Sequence, residues 1–239
     1  MNNFQERRSL NELRTFYDER FRRDNLRDCD SFYRWVLQRL RVKSGQSLLD
    51  VACGSGRLIV HAQRAGVRAV GLDFSEEALF RERKIDHAAW VVLADGQHIP
   101  VLDRSFDFVT NLGSLEHFLD PAIGIREMAR IVRPDGLVVI LLPNAFYLAD
   151  LVWWVWRKGR SPSHNQILER FAAHADWQEL LEANGLQIKA SFRYNFMFPR
   201  SQLDWQHYRR FPRKLLNVAI APFVPFNFSY SFLYVCQGH

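Results

Sequence analysis

The apolar pair Leu48-Leu49 ends in Asp50, and Val51-Ala52-Cys53-Gly54-Ser55-Gly56 then leads into a helical pattern opening at Arg57. A buried parallel strand reads this way, followed by a tight turn that brings bare backbone against whatever lies above it. Seventeen residues past Gly56, a second apolar run, Ala69-Val70-Gly71-Leu72, ends in Asp73. The alternation continues: strands are predicted over Ser47–Ala52, Ala69–Asp73, Trp90–Ala94, Phe106–Asn111 and Leu137–Leu142, with crossover helices at about 56–65, 75–84 and 121–132. This βαβ rhythm implies a parallel sheet covered on both faces.

Two ligand classes use such a turn, dinucleotides and S-adenosylmethionine. The dinucleotide fingerprint G-x-G-x-x-G needs a glycine where this chain has Ile59, so the turn favours S-adenosylmethionine. An acidic residue at the position of Asp73 suits hydrogen bonding to ribose hydroxyls at the mouth of a doubly wound sheet.

Asp50-Val51-Ala52-Cys53-Gly54-Ser55-Gly56 resembles the first motif of class I S-adenosylmethionine-dependent methyltransferases. Three further segments are similar to that family's motifs, in its order: Gly71–Ser75, then Leu93–Pro100 with Ser105–Val109, then Arg130–Leu137. Together they cover about residues 40–145. Ala52 departs from the glycine of many members. The resemblance implies an α/β fold with a doubly wound, seven-stranded, mostly parallel sheet. Its last two strands, read here at Gly185–Phe192 and Ser231–Cys236, would form an antiparallel pair after a helix at Ala175–Asn184. It also implies cofactor contacts from Asp50, Ala52, Gly54, Gly56, Asp73, Phe74, Asp95, Gly96, Asn111 and Leu112. Gly54 and Gly56 would admit the amino-acid end of the cofactor, Asp73 both ribose hydroxyls, and Asp95 the adenine amino group. Asp50 would hold either the turn or the cofactor ammonium group. For Asp73 a helix N-cap is the competing reading, weakened because Ser75 suits that role.

The chain of 239 residues is expected to be one methyltransferase domain. Cap helices occupy 1–43, the cofactor-binding core 44–143, a lid 144–174, and 175–239 completes the sheet around an aromatic-basic insertion. Leu10, Leu13, Phe16, Tyr17 and Phe21, then Phe32, Trp35, Val36 and Leu40, recur at helical spacing, with a polar loop between them at about 22–30. Tyr17 and Phe21 either close over the cofactor or form a core stripe. The three cysteines, Cys29, Cys53 and Cys236, make neither a disulfide framework nor a zinc spacing, which points to the cytoplasm. No signal-peptide core follows the N-terminus, and no apolar stretch is long enough to span a bilayer.

Charge is divided unevenly. Residues 44–142 carry 10 basic and 13 acidic side chains, whereas 1–43 carry 11 and 7, and 143–239 carry 11 and 6. Basic flanks can meet nucleic acid, an acidic substrate or an anionic membrane, or can simply be solvated. No motif for methylating base amino groups is present, so nucleic acid is disfavoured. A small-molecule or lipid-like acceptor and peripheral association with an anionic membrane are the expected partners. Methylation at oxygen is favoured, over a protein or nucleic-acid substrate or a non-catalytic cofactor-binding protein.

Two insertions and one loop bear on chemistry. Asn144–His174 holds Trp153, Trp154 and Trp156 beside Arg157-Lys158-Gly159-Arg160; Arg193–Ser229 holds Trp205, Tyr208, Arg209, Arg210, Phe211, Arg213 and Lys214, then Phe223, Phe226 and Phe228. The tryptophans admit three readings: buried core, wall of an apolar pocket, or membrane-interface anchor. Asn111–His117 follows the fourth strand, where the methyl group should emerge. His117 is therefore the candidate general base, with a protonation limb expected near neutrality; its competing reading is a residue that fixes the loop. Leu115–Pro121 also resembles ubiquinone-pathway O-methyltransferases, in which Glu and His help bind a metal, but the earlier acidic ligand falls at Gly113, so no metal is expected. His164 and His174 flank the lid within reach of substrate, though surface roles compete. His207 is expected to pack or to lie on the surface.

Overall fold

The computed structural model describes residues 9–23, 29–85, 90–162 and 166–238. The expected loop at 22–30 therefore falls largely outside the described residues, as does His164. Seven strands form one sheet: β1 (Ser47–Val51), β2 (Arg68–Asp73), β3 (Trp90–Leu93), β4 (Phe106–Leu112), β5 (Val132–Pro143), β6 (Leu186–Tyr194) and β7 (Ser231–Gly238). Their order is β3-β2-β1-β4-β5-β7-β6. Neighbours from β3 to β5 run parallel, while β7 lies antiparallel between β5 and β6. The doubly wound seven-stranded sheet is as expected. Strand order reverses between β1 and β4, which opens a crevice at their carboxyl ends.

Every residue of β1 is buried, because helices cover both faces of this central strand. Period-two alternation divides the core accordingly. On one face Leu48, Val139 and Leu141 pack with Phe32, Val36 and Leu40 of α2 (Asp30–Leu40) and Leu58 and Ile59 of α3 (Arg57–Arg64). On the other, Leu49, Val51, Val138 and Ile140 meet Ile125 and Met128 of α5 (Pro121–Ile131) and Trp177 and Leu181 of α7 (His174–Glu182). Asp120 caps α5 by accepting from the Ala122 N–H, with Pro121 at the first helical position.

At the amino end, α1 (Leu10–Arg23) lies against α4 (Glu76–Ile85), and Asp18 ties them by accepting from Ser75 Oγ at 2.5 Å. Strand β5 starts at Val132, five residues ahead of the expected Leu137. Pairing with β4 jumps from Phe106–Val132 to Phe108–Leu137, so the Arg133–Gly136 turn is carried within the strand as an irregularity. The first insertion opens with a helical turn, α6 (Leu148–Asp150), that continues as a π-helical segment, Leu151–Trp156. The second folds into α8 (Gln202–Arg210) and α9 (Pro212–Ile220).

Candidate active site

The turn after β1 takes three left-handed residues in five: Ala52 at φ 59°, Gly54 at 53° and Gly56 at 65°. This tight path turns the backbone N–H of Gly54 toward β2, where it donates to Asp73 Oδ2 at 2.8 Å. The Ser75 N–H donates to Asp73 Oδ1 at 2.9 Å. With a further backbone donor from Phe74, three N–H groups fix the Asp73 carboxyl, and a carboxylate still has acceptor capacity beyond three donors. Ser75 Oγ, not Asp73, accepts from the Ala78 N–H of α4.

Three acidic groups sit under the crevice in low dielectric. Burial raises the Asp73 carboxyl to about 6 against the pull of its backbone donors. Burial likewise raises Asp50 to about 7, opposed by the Thr110 hydroxyl, which donates to its Oδ1 at 2.6 Å. Glu116 is lifted by burial to about 8, and its Oε2 is buried without a hydrogen-bond partner. Asp95 accepts from the Gln97 N–H at 2.9 Å. At Gly96 a Cβ would lie 2.6 Å from Phe118 Cζ and 2.9 Å from Val51 Cγ1, so a side chain there would close the crevice wall.

One cavity of about 510 Å³ joins these groups. Asp50, Ala52, Gly54, Asp73, Phe74, Asp95, Gly96, Leu112 and His117 line it, as do Tyr17 and Phe21 of α1. Gly56 and Asn111 do not. Gly56 is the last residue of the turn, at the N-cap of α3. Asn111 is fully buried, its Nδ2 donating to the Val51 carbonyl and its Oδ1 accepting from the Leu115 N–H, so it holds the loop after β4.

The His117 side chain is 10% exposed, and its Nδ1 lies 2.5 Å from the Leu168 carbonyl. A carbonyl only accepts, so Nδ1 carries the hydrogen and Nε2 keeps its lone pair; that nitrogen lies 3.7 Å from Glu116 Oε1. Burial penalises the imidazolium and lowers His117 to about 4. The expectation of a limb near neutrality is thereby corrected, because desolvation outweighs the help of the Leu168 carbonyl. The ring also packs against Tyr17, whose hydroxyl donates to Gln166 Oε1 at 2.9 Å.

The first insertion closes one side of the cavity through residues that sequence reasoning did not single out. Arg170 donates to the carbonyls of Glu116, Phe118 and Leu119, clamping the loop that presents Glu116 and His117. Such side chain-to-carbonyl bonds leave no spacing pattern in a sequence; only the Leu115–Pro121 motif marks the loop they grip. Other expectations fail. Trp153, Trp154 and Trp156 are neither core nor cavity wall: no residue of Leu151–Trp156 is buried, and none of the three lines the cavity. His174 lies among the rings of Phe226, Phe232 and Tyr234, and the cavity does not include it. His207, by contrast, packs on Tyr208 and Phe211, one of the two roles expected for it.

Residues 49–140 match the family described as "Methyltransferase domain". The strand order agrees with that match over the matched segment. This segment is a class I methyltransferase domain. Its family implies S-adenosylmethionine as methyl donor. The turn, the fixed Asp73 carboxyl and the bare Gly96 wall suit such a ligand in a cavity of drug-like size. The methyltransferase domain is 35% identical over 105 residues to a demethylmenaquinone methyltransferase of Corynebacterium kroppenstedtii, covering 43% of this chain and 44% of that protein. The chain thus spans less than half the length of such curated relatives. Among solved structures, a TehB-like S-adenosylmethionine-dependent methyltransferase from Corynebacterium glutamicum superposes with a TM-score of 0.57 at 16% identity, over 93% of this chain and 96% of its own. The [4+2]-cyclase SpnF superposes at 0.61 and 19% identity, over 90% and 84%.

Proposed function

We propose that this protein transfers a methyl group from S-adenosylmethionine to an oxygen of a small or lipid-like biosynthetic intermediate. A cytoplasmic location and reversible association with an anionic membrane surface belong to the same reading. One observation carries it: one cavity joins the carboxyls Asp50, Asp73 and Asp95 to the His117 imidazole, whose Nδ1 faces the Leu168 carbonyl and so leaves Nε2 to accept. A cyclase shares the fold, so the reading rests on these residues and not on the fold alone. The demethylmenaquinone methyltransferase relative supports an acceptor that is part apolar.

Bound in the crevice, S-adenosylmethionine supplies an electrophilic methyl group on a sulfonium. Asp73 would accept from the ribose hydroxyls, Asp95 would hold the adenine amino group and Asp50 the ammonium group, with Phe74, Leu112 and the bare backbone at Ala52 and Gly54 shaping the pocket. The segment 144–174 acts as a lid, with Arg170 fixing the loop that aligns the acceptor. His117 Nε2 would take the proton of the acceptor hydroxyl as that oxygen is methylated. The imidazolium so formed would carry the positive charge that the donor gives up, so the site would keep its net charge.

Incubation with methyl-labelled S-adenosylmethionine and a panel of hydroxylated aromatic and prenylated acceptors tests the reading. Label should appear in an extractable small product as an O-methyl group, and His117→Ala should lower turnover by about 10²–10⁴-fold with cofactor binding nearly intact. The limb for His117 protonation should fall at about pH 4. Label confined to protein or nucleic acid, or wild-type turnover in His117→Ala, would contradict it.

A further inference from the structure

The two insertions leave the same end of the sheet. Pro143, closing β5, pairs with Ser231, and Tyr194, closing β6, pairs with that same Ser231. Their bases are joined: Asn144 Nδ2 donates to the carbonyls of Asn227 and Ser229 at 2.9 and 2.8 Å, and the Tyr147 ring lies 5.1 Å from that of Tyr230. Asp150 of the first insertion and Lys214 of the second both line the cavity, so the two border it.

Both carry large apolar side chains into solvent. Trp156 is 81% exposed and Phe223 86%, with Trp153, Val155, Leu216 and Ile220 also exposed. Cations are interleaved with the rings. Lys158 Nζ lies 5.1 Å from the Trp153 ring and 4.8 Å from the Trp154 ring, and Lys214 Nζ lies 5.0 Å from the Phe211 ring. The first insertion holds four basic and two acidic residues, the second six and one. With none of the three tryptophans buried or lining the cavity, aromatic rings beside flexible cations remain. That composition matches a layer apolar at one depth and anionic at the next. No helix among the described residues is long and apolar enough to cross a membrane.

We propose that the two insertions form one docking face for an anionic lipid bilayer, with Trp156 and Phe223 entering the headgroup layer and the flanking cations meeting lipid phosphates. This deepens the membrane part of the reading above by naming the face. It would set the cavity beside the lipid, where an amphiphilic acceptor enters without crossing water. A second copy of the chain fits less well, since a two-fold contact through this face would set its cations against themselves.

Flotation of the full chain with phosphatidylglycerol–phosphatidylcholine vesicles tests the face without cofactor or acceptor. Binding is expected at low salt, about tenfold weaker to pure phosphatidylcholine and reduced by added salt. The paired changes Trp156→Ala and Phe223→Ala remove side chains that support no core, and should weaken binding about tenfold with an unchanged circular dichroism spectrum. Arg157→Glu with Lys158→Glu should do the same through charge. Three results would overturn the proposal: no flotation at low salt, equal flotation of wild type and both double variants, or a concentration-dependent dimer that Trp156→Ala abolishes. None of these would touch the methyltransferase reading, which is measured separately by cofactor binding and product formation.

Discussion

Ala52 holds a left-handed backbone at φ 59° where many methyltransferases of this class have glycine. A side chain in that region costs about 1–2 kcal/mol, part of which glycine would return through its freer unfolded chain. Ala52→Gly should therefore raise the unfolding free energy by about 0.5–1 kcal/mol, read from urea titration. The buried carboxyls make a second prediction at this scale. Asp50, Asp73 and Glu116 are raised to about 7, 6 and 8, so each stabilises the unliganded fold fully below the ordinary carboxylate range and loses that contribution as pH rises through its folded value. Stability should fall between about pH 4 and pH 8, and Glu116→Gln should flatten the upper part of that fall. A pH series of melting curves checks it; an identical slope in Glu116→Gln would remove Glu116 from the account. The motif residues were legible because they are local in sequence. The state of His117 was not, since burial and the Leu168 carbonyl come from a segment about fifty residues away.

Elements whose pattern repeats were read from sequence with small errors. The strands β1 to β4 and the helices between them follow from apolar runs and caps, and alternation along β1 assigns Leu48 and Leu49 to opposite faces. The start of β5 was misplaced because pairing resumes after an irregularity that only the partner strand defines. The insertions were harder. The π-helical segment Leu151–Trp156 is apolar all round, which in sequence resembles a core element, and only its position outside the packed layers shows otherwise. The clamp from the first insertion to the loop after β4 depends on one side chain. Arg170→Met keeps the aliphatic stem but withdraws three charge-assisted donors, and should cost about 2–3 kcal/mol of stability. It should also speed limited proteolysis within 144–174. Unaltered proteolysis would mean that the insertion is held elsewhere, and Tyr17–Gln166 would then be the place to look.

At the scale of the whole molecule, the division of charge follows the division of labour. The sheet core, with more acidic than basic residues, sets its carboxyls beneath the crevice, while the basic flanks supply α1 on one side and the two insertions on the other. Fold and cofactor class were legible because four ordered motifs fix the crossover topology. The acceptor was not, because the insertions that border the cavity carry no pattern beyond composition. Everything about function depends on the crevice holding S-adenosylmethionine through Asp73. Calorimetric titration of S-adenosylhomocysteine into the wild-type chain and into Asp73→Ala, with folding checked by circular dichroism, measures that dependence directly. The account predicts saturable binding at one site, weakened about 10- to 100-fold by loss of hydrogen bonds to a charged acceptor. Absence of binding to the wild type, or equal affinity in a folded Asp73→Ala protein, would contradict it.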